Sequence, residues 1–176
     1  MAQASLQLLQ SLIRDVPDFP KPGILFKDIT PLLGDAAGFA ATVELLAARI
    51  RPHAPTGLAA IESRGFILGA ALARELHLPL LLVRKPGKLP RQTVRASYQL
   101  EYGSDSVEMH ADAVAPGRGY AIVDDVIATG GTAAAAAELI EAQQGRVACL
   151  AFLIELDFLK GRTKLGSRAV ESLVHY

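Results

Sequence analysis

One stretch, Tyr120 to Thr132, limits the folds open to this chain more than any other. Tyr120 to Val123 is a run of β-forming residues without polar alternation, and it follows the turn-prone Pro116-Gly117-Arg118-Gly119. That pattern belongs to a strand buried on both faces. Asp124 and Asp125 end the run, a loop of mostly small residues follows, and Thr132 is placed to cap an alanine-rich helix from Ala133 to about Gln144. A strand with two buried faces needs helices on its sheet, so the unit predicts an α/β fold. The grammar recurs at Gly57 to Glu62, where a buried strand meets Ser63-Arg64-Gly65 and a helix from about Phe66 to Leu76. Leu80 to Val83 and Val147 to Ile154 add two more apolar strands. The expected architecture is a central, mostly parallel twisted sheet flanked by helices, with its strand ends gathered on one side.

The loop also predicts chemistry. Backbone N–H groups that converge at the start of a helix favour an anion, and the helix dipole adds to them. Glycines let a ligand approach the backbone, and threonine hydroxyls supply further hydrogen bonds. Two carboxylates cannot hold the same phosphate, so they need another partner, either ribose hydroxyls or a magnesium shell. Phosphate and hydroxyls together describe a ribose 5-phosphate. A capped helix end needs neither two consecutive acids nor Thr129-Gly130-Gly131-Thr132. The other nucleotide motifs fit worse: Gly131 is followed by threonine rather than the Walker lysine, and no G-x-G-x-x-G is present here.

A second anion is implied by the loop after the third strand. Arg84-Lys85-Pro86-Gly87-Lys88-Leu89-Pro90-Arg91 packs four cations between prolines and a glycine, which suits a polyanion such as pyrophosphate. Alone it would read as a solvated face; beside Arg64 and the phosphate loop it reads as a site. From Gln92 to Val114, apolar and polar residues alternate around Gly103-Ser104-Asp105-Ser106, which predicts a hairpin inserted where it can cover the crevice.

At the N-terminus, Leu6, Leu9, Leu12, Ile13 and Val16 recur at helical spacing and predict a helix from about Ala4 to Val16. Pro17 to Gly23 stops it, and Ile24 to Pro31 should be extended, with Phe26 either a core anchor or free to stack on a flat ring. Asp35 caps a further helix through about Arg49. Gly145 is placed as the cap that ends the helix after the phosphate loop. The tail offers a short basic helix, Phe158 to Leu165, and a final strand from Leu173 to Tyr176.

At 176 residues, the length suits one domain. Lys plus Arg equals Asp plus Glu at 18 each, a balance that argues against a general nucleic-acid binder but not against a local cationic site. Cys149 has no partner for an intrachain disulfide and sits in an apolar run, so a buried structural thiol is expected. No apolar run approaches the roughly 20 residues of a membrane span. The N-terminus lacks a basic region ahead of its leucines, so a cytoplasmic setting is the default. His53, His77, His110 and His175 have no companions at metal-ligand spacing, and no metal site is expected on them.

Val123 to Thr132 resembles the phosphoribosyl pyrophosphate (PRPP) loop of the type I phosphoribosyltransferases. Asp18 to Phe26, Ser63-Arg64-Gly65-Phe66, Arg84 to Pro90 and Leu100-Glu101-Tyr102-Gly103 resemble the adenine-specific members, in the same order along nearly the whole chain. The resemblance implies one phosphoribosyltransferase domain over residues 1–176, with an N-terminal hood and base-binding segment at 1–34 and a flexible loop and hairpin lid at 85–114. It implies transfer of the phosphoribosyl group from PRPP to adenine, giving AMP and pyrophosphate, with Mg2+ held mainly by PRPP and water rather than by side chains. Asp124 and Asp125 would hold the ribose hydroxyls, and Ala128, Thr129, Gly130, Gly131 and Thr132 the 5-phosphate. Ser63, Arg64, Arg84, Lys85 and Lys88 would hold pyrophosphate. Leu25 and Lys27 would read adenine mainly through main-chain groups, with Phe26 against the ring; Glu101 would exchange the purine proton and Tyr102 would help close the lid. Position 27 carries lysine where many members carry arginine, and an ammonium lacks the planar fork that a bidentate side-chain contact to the base needs. The resemblance further implies a cis peptide at Glu62-Ser63 and a homodimer.

Two alternatives remain at this point. A phosphoribosyltransferase for xanthine, hypoxanthine or orotate would share the loop but not the N-terminal segment. A non-catalytic PRPP sensor would need a DNA-binding domain or a basic face, for which this chain has neither room nor charge.

Overall fold

The structure, a computed structural model, describes residues 2–99 and 103–176. It divides into two compact units, Met1–Leu45 and Leu46–Tyr176. No helix among the described residues is long and apolar enough to cross a membrane.

The first unit opens with helix α1 (Ala2–Leu12), which is shorter than the leucine spacing predicts. Arg14–Pro17 forms strand β1 instead, antiparallel to β2 (Leu25–Asp28), with Val16 opposite Phe26. Pro17 disfavours helical backbone at Val16, and pairing with β2 supplies the alternative hydrogen bonds. Between the strands the Asp18 carboxylate accepts a bond from the Gly23 N–H at 2.7 Å, and the Phe19–Pro20 peptide is cis. The extended segment ends sooner than expected. Asp28 accepts bonds from both the N–H and the hydroxyl of Thr30, and a short helix α2 (Thr30–Gly34) follows, with Pro31 in its first turn. Asp35 caps α3 (Ala36–Ile50) as predicted, through a 2.7 Å bond from the Gly38 N–H. Leu12 packs where a Cβ on Gly38 would stand, so α1 lies close against the start of α3.

The second unit is built on a five-stranded sheet in the order β4-β3-β7-β8-β9, every neighbouring pair parallel. The strands are β3 (Gly57–Ile61), β4 (Leu80–Val83), β7 (Gly119–Ile127), β8 (Arg146–Glu155) and β9 (Val170–His175). Every residue of β3 is buried, as its unbroken apolar run requires. Successive residues face opposite ways. Ala60 faces helix α4 (Arg64–Leu76), where Gly69 admits it: a Cβ at Gly69 would lie 2.5 Å from the Ala60 methyl. On the other face Ala59, Ile61, Ile122, Leu150 and Phe152 join one core with Ala133, Ala136, Ala137 and Ile140 of helix α5 (Gly131–Ala142). The alanine run is therefore a packing surface that lets α5 sit close on the sheet.

Strands β5 (Thr93–Gln99) and β6 (Ser104–His110) form the expected hairpin, with a shifted turn. Gln99 pairs with Ser104, so Ser104 to Ser106 lie in the strand rather than in the turn. Val107 and Met109 are buried in the core shared with α5, and Arg84 at the end of β4 exchanges both backbone bonds with Glu108. The body of the hairpin cannot swing without exposing that core. Leu100, Glu101 and Tyr102, which follow Gln99 in the sequence, lie outside the described residues.

Three local expectations are corrected. Asp124 and Asp125 lie inside β7, which runs on to Ile127 because Val126 and Ile127 pair with Ile154 and Glu155 of β8. The left-handed residue after α5 is Gln144 rather than Gly145. Gly145 is required by space, since a Cβ there would lie 2.6 Å from Val114 Cγ1. The basic tail helix is two 3-10 turns, Asp157–Leu159 and Gly161–Leu165, separated by Lys160 in left-handed conformation. Cys149 is buried on β8, and burial, with Glu171 adding to it, pushes its thiol up to about 12.

Candidate active site

A cleft of about 290 Å³ opens at the carboxyl ends of β3 and β7. Its walls bring together Ser63, Arg64, Lys85, Asp124, Asp125 and the whole of Ala128 to Thr132. The parallel sheet explains the meeting, because strands that run the same way deliver their following loops to the same edge.

Of the charged residues that line the cleft, Asp125 is the most buried. Asp125 is only 4 % exposed, and its Oδ2 accepts a 2.5 Å bond from Arg64 Nε. Asp124 Oδ1 accepts the Asp125 N–H at 2.9 Å. Burial first, then the charge of Asp125, raises the Asp124 carboxyl well above the usual range, outweighing the opposite pull of Arg64. Gly65 allows this geometry: a Cβ there would lie 2.8 Å from Asp124 Oδ1 and 2.9 Å from the Val123 carbonyl. The first turn of α4 can thus close onto the end of β7. The Glu62–Ser63 peptide just ahead of it is cis.

The glycine loop starts α5 two residues earlier than predicted. Gly130 takes the N-cap position with φ +77°, a conformation natural to glycine, so Thr132 falls in the first turn and is not the cap. Its hydroxyl donates to the Tyr98 hydroxyl at 3.0 Å instead. The Gly161 carbonyl fills the space beside Gly130, where a Cβ would come within 2.2 Å of its oxygen. Gly161 has the same constraint toward the Ala128 carbonyl, at 2.3 Å. The loop therefore rests on the backbone of the turn that follows β8.

The cationic loop is divided by its partners. Lys85 lines the cleft, whereas Arg84 and Lys88 are not among its lining residues. Arg84 turns onto Glu62, with Nε 3.2 Å from Oε2, and its Nη1 donates to the Lys88 carbonyl at 2.9 Å. Glu62 Oε2 also accepts the Lys85 N–H at 2.9 Å. Burial raises Glu62, but the Lys85 N–H and the Arg84 guanidinium outweigh it and hold the carboxyl below its ordinary value. The Lys85 ammonium pairs with Asp105 and donates to the Tyr98 hydroxyl at 3.1 Å. Glu62, Tyr98, Asp105 and Gly161 escaped the sequence reading. Glu62 carried a faint signal, as a lone acid ending an apolar strand; the others had none, because their contacts depend on the register of the hairpin and on the approach of the turn after β8.

Residues 33–169 match the profile of the phosphoribosyl transferase domain family. An adenine phosphoribosyltransferase of Cytophaga hutchinsonii is 50% identical over 172 residues, which span 97% of this chain and 95% of the relative. The chain belongs to the adenine phosphoribosyltransferases. The crystal structure of the Thermoanaerobacter pseudethanolicus member superposes with a TM-score of 0.95 at 48% identity, covering 97% of this chain and 99% of that one. The Saccharomyces cerevisiae member, solved in complex with an imino-altritol bisphosphate and adenine, superposes at 0.93 with 38% identity, covering 97% and 99%.

Glu101 and Tyr102 are outside the described residues. Leu25, Phe26 and Lys27 belong to the first unit, where Leu25 is half-exposed and Phe26 meets Phe19 edge to face with ring centroids 5.1 Å apart. Lys27 Nζ bonds Asp15 Oδ1 at 2.6 Å across the β1–β2 ladder. One histidine of the tail stands beside carboxylates. His175, which has no nearby ligand in sequence, stands 3.0 Å from Asp157 and 3.9 Å from Glu155. Glu155 already accepts two bonds from Arg162, at 2.6 and 2.7 Å, and one from Ser172, so the cluster reads as an ion-pair network.

Proposed function

We propose that this chain transfers the 5-phosphoribosyl group of PRPP to adenine, giving AMP and pyrophosphate in purine salvage. The observation that supports it best is a single cleft in which an acid pair, a glycine loop at a helix start and two cations, Arg64 and Lys85, stand together. In this reading Ala128 to Thr132 hold the 5-phosphate, Asp124 and Asp125 hold the ribose hydroxyls, and Ser63, Arg64, Arg84, Lys85 and Lys88 face pyrophosphate. Leu25, Phe26 and Lys27 read the base, within a base-binding segment formed by residues 1–34. The segment 85–114 covers the reacting groups.

Breaking the bond from ribose C1 to pyrophosphate leaves positive charge on the sugar and negative charge on the leaving group. Preorganised cations stabilise the latter, while the acid pair and the glycine loop keep the sugar in line for attack. Adenine loses its ring-nitrogen proton as it attacks, and Glu101 is the group proposed to accept it. The residues present fit Mg2+ bound through substrate phosphates and water: the cleft offers two adjacent carboxylates, one already paired with Arg64, and no closed cage. When bound there, Mg2+ supplies charge neutralisation for the departing pyrophosphate. The same reading carries a cytoplasmic homodimer.

The test is incubation with PRPP, Mg2+ and each nucleobase in turn, following pyrophosphate release. Release is expected with adenine. Release with hypoxanthine in place of adenine would reassign the base, and none with any base would favour a PRPP sensor. In the same assay Glu101→Gln should lower kcat by about 100-fold or more with little change in PRPP affinity; wild-type turnover would reject that role.

A further inference from the structure

The Lys85 ammonium carries a carboxylate of the protein itself. It pairs with Asp105 Oδ2 and donates to the Tyr98 hydroxyl at 3.1 Å. Tyr98 in turn donates to the same Asp105 oxygen at 3.1 Å and accepts the Thr132 hydroxyl at 3.0 Å. A phenolic oxygen has one proton and two lone pairs, and here all three are engaged. The Tyr98 ring is fixed as well, for it fills the space beside Gly131, where a Cβ would lie 2.9 Å from Cδ2. Asp105 Oδ1 accepts the Ser106 N–H at 2.7 Å, so the carboxylate is bonded at both oxygens. Lys85 and Thr132 line the cleft, whereas Asp105 and Tyr98 do not.

We propose that Asp105 is a positioning residue that sets pyrophosphate affinity by competing with it for Lys85. The inference rests on Lys85 facing pyrophosphate, as proposed above. A bound pyrophosphate must draw the ammonium away from Asp105, and the carboxylate, held by Tyr98 and by the Ser106 N–H, takes the ammonium back when the product leaves. The negative charge of Asp105 also repels a polyanion directly. Both effects have the same sign: they weaken pyrophosphate binding and speed its departure. A cation with no resident partner would bind the product more tightly and release it more slowly.

The test is calorimetric titration of the full chain with magnesium pyrophosphate, comparing wild type, Asp105→Asn, Lys85→Ala and the double variant. Asp105→Asn should bind about five- to tenfold more tightly, the range of a partly exposed ion pair. The gain should disappear on the Lys85→Ala background, and product inhibition by pyrophosphate should strengthen by the same factor while the KM for adenine is unchanged. Asp105→Glu, which keeps the charge, should return affinity to within about twofold of wild type, which separates competition from disturbance of the hairpin. Equal or weaker pyrophosphate binding by Asp105→Asn, or a gain that survives loss of Lys85, would overturn the inference alone. No binding to the wild type would overturn the pyrophosphate reading of the cleft, and this proposal with it.

Discussion

Asp124 shows how a residue that lines the cleft can weaken the fold. Its carboxyl is raised by burial and by Asp125, so above its ordinary range the folded chain holds a proton that the unfolded chain has released. For a raised carboxyl the sign is unfavourable: stability falls as pH rises from the unfolded value, roughly 4, toward the folded one. Asp124→Asn keeps an oxygen for the Asp125 N–H and removes the charge. It should raise Tm at pH 7 by about 2–4 °C, on the order of 1 kcal/mol, while lowering kcat/KM for PRPP by about 100-fold. Thermal melts and steady-state rates check the two halves, and an unchanged Tm would reject the electrostatic account. The identity of this pair was legible, because two acids ending an apolar run are visible in any sequence. Its counter-ion was not: Arg64 looked like a ligand for an outside anion, and only the approach of α4 to β7 through Gly65 reveals that its Nε serves Asp125.

Among elements, the glycine loop Ala128 to Thr132 is held from below by a turn that looked like a basic helix. Gly161 fits between Ala128 and Gly130, and Arg162 anchors that turn through Glu155 and the Val170 carbonyl. Burial draws the Glu155 carboxyl up, but Arg162 and Ser172 outweigh it and hold it below its ordinary value. A methyl at position 161 would meet the Ala128 carbonyl at 2.3 Å and must displace the loop. Gly161→Ala should therefore raise the KM for PRPP about tenfold or more, leave adenine binding within about twofold, and cost about 1–3 kcal/mol of stability. Urea unfolding and separate titrations with AMP and adenine measure this, and equal losses for both ligands would count against a local effect. The strand–loop–helix unit itself was readable, because hydrophobic period and glycine placement are local signals. The support was not, since a 3-10 turn of polar residues carries no periodicity. Likewise, β1 was hidden inside an apparent helix because its hydrogen-bond partner, β2, lies several residues farther along the chain.

At the scale of the whole molecule, the second unit owes its core to a sheet buried on both faces, and Cys149 reports on its integrity. With its thiol pushed up to about 12 by burial first and by Glu171 second, Cys149 should resist thiol reagents from pH 7 to 9 in the folded chain. It should react fully in denaturant, and a reaction rate tracking urea concentration would give the opening equilibrium of β8. Rapid modification under native conditions would contradict the burial. Sequence by itself determined the α/β class, the parallel strands, the glycine loop before a helix and the acid pair, because each is written in neighbouring residues whose local geometry follows from their type. Tertiary structure decided which charges face one another: Arg64 with Asp125, Arg84 with Glu62 and Lys85 with Asp105. Those pairings depend on strand register and on how closely glycines let backbones approach, quantities that exist only once the sheet has formed.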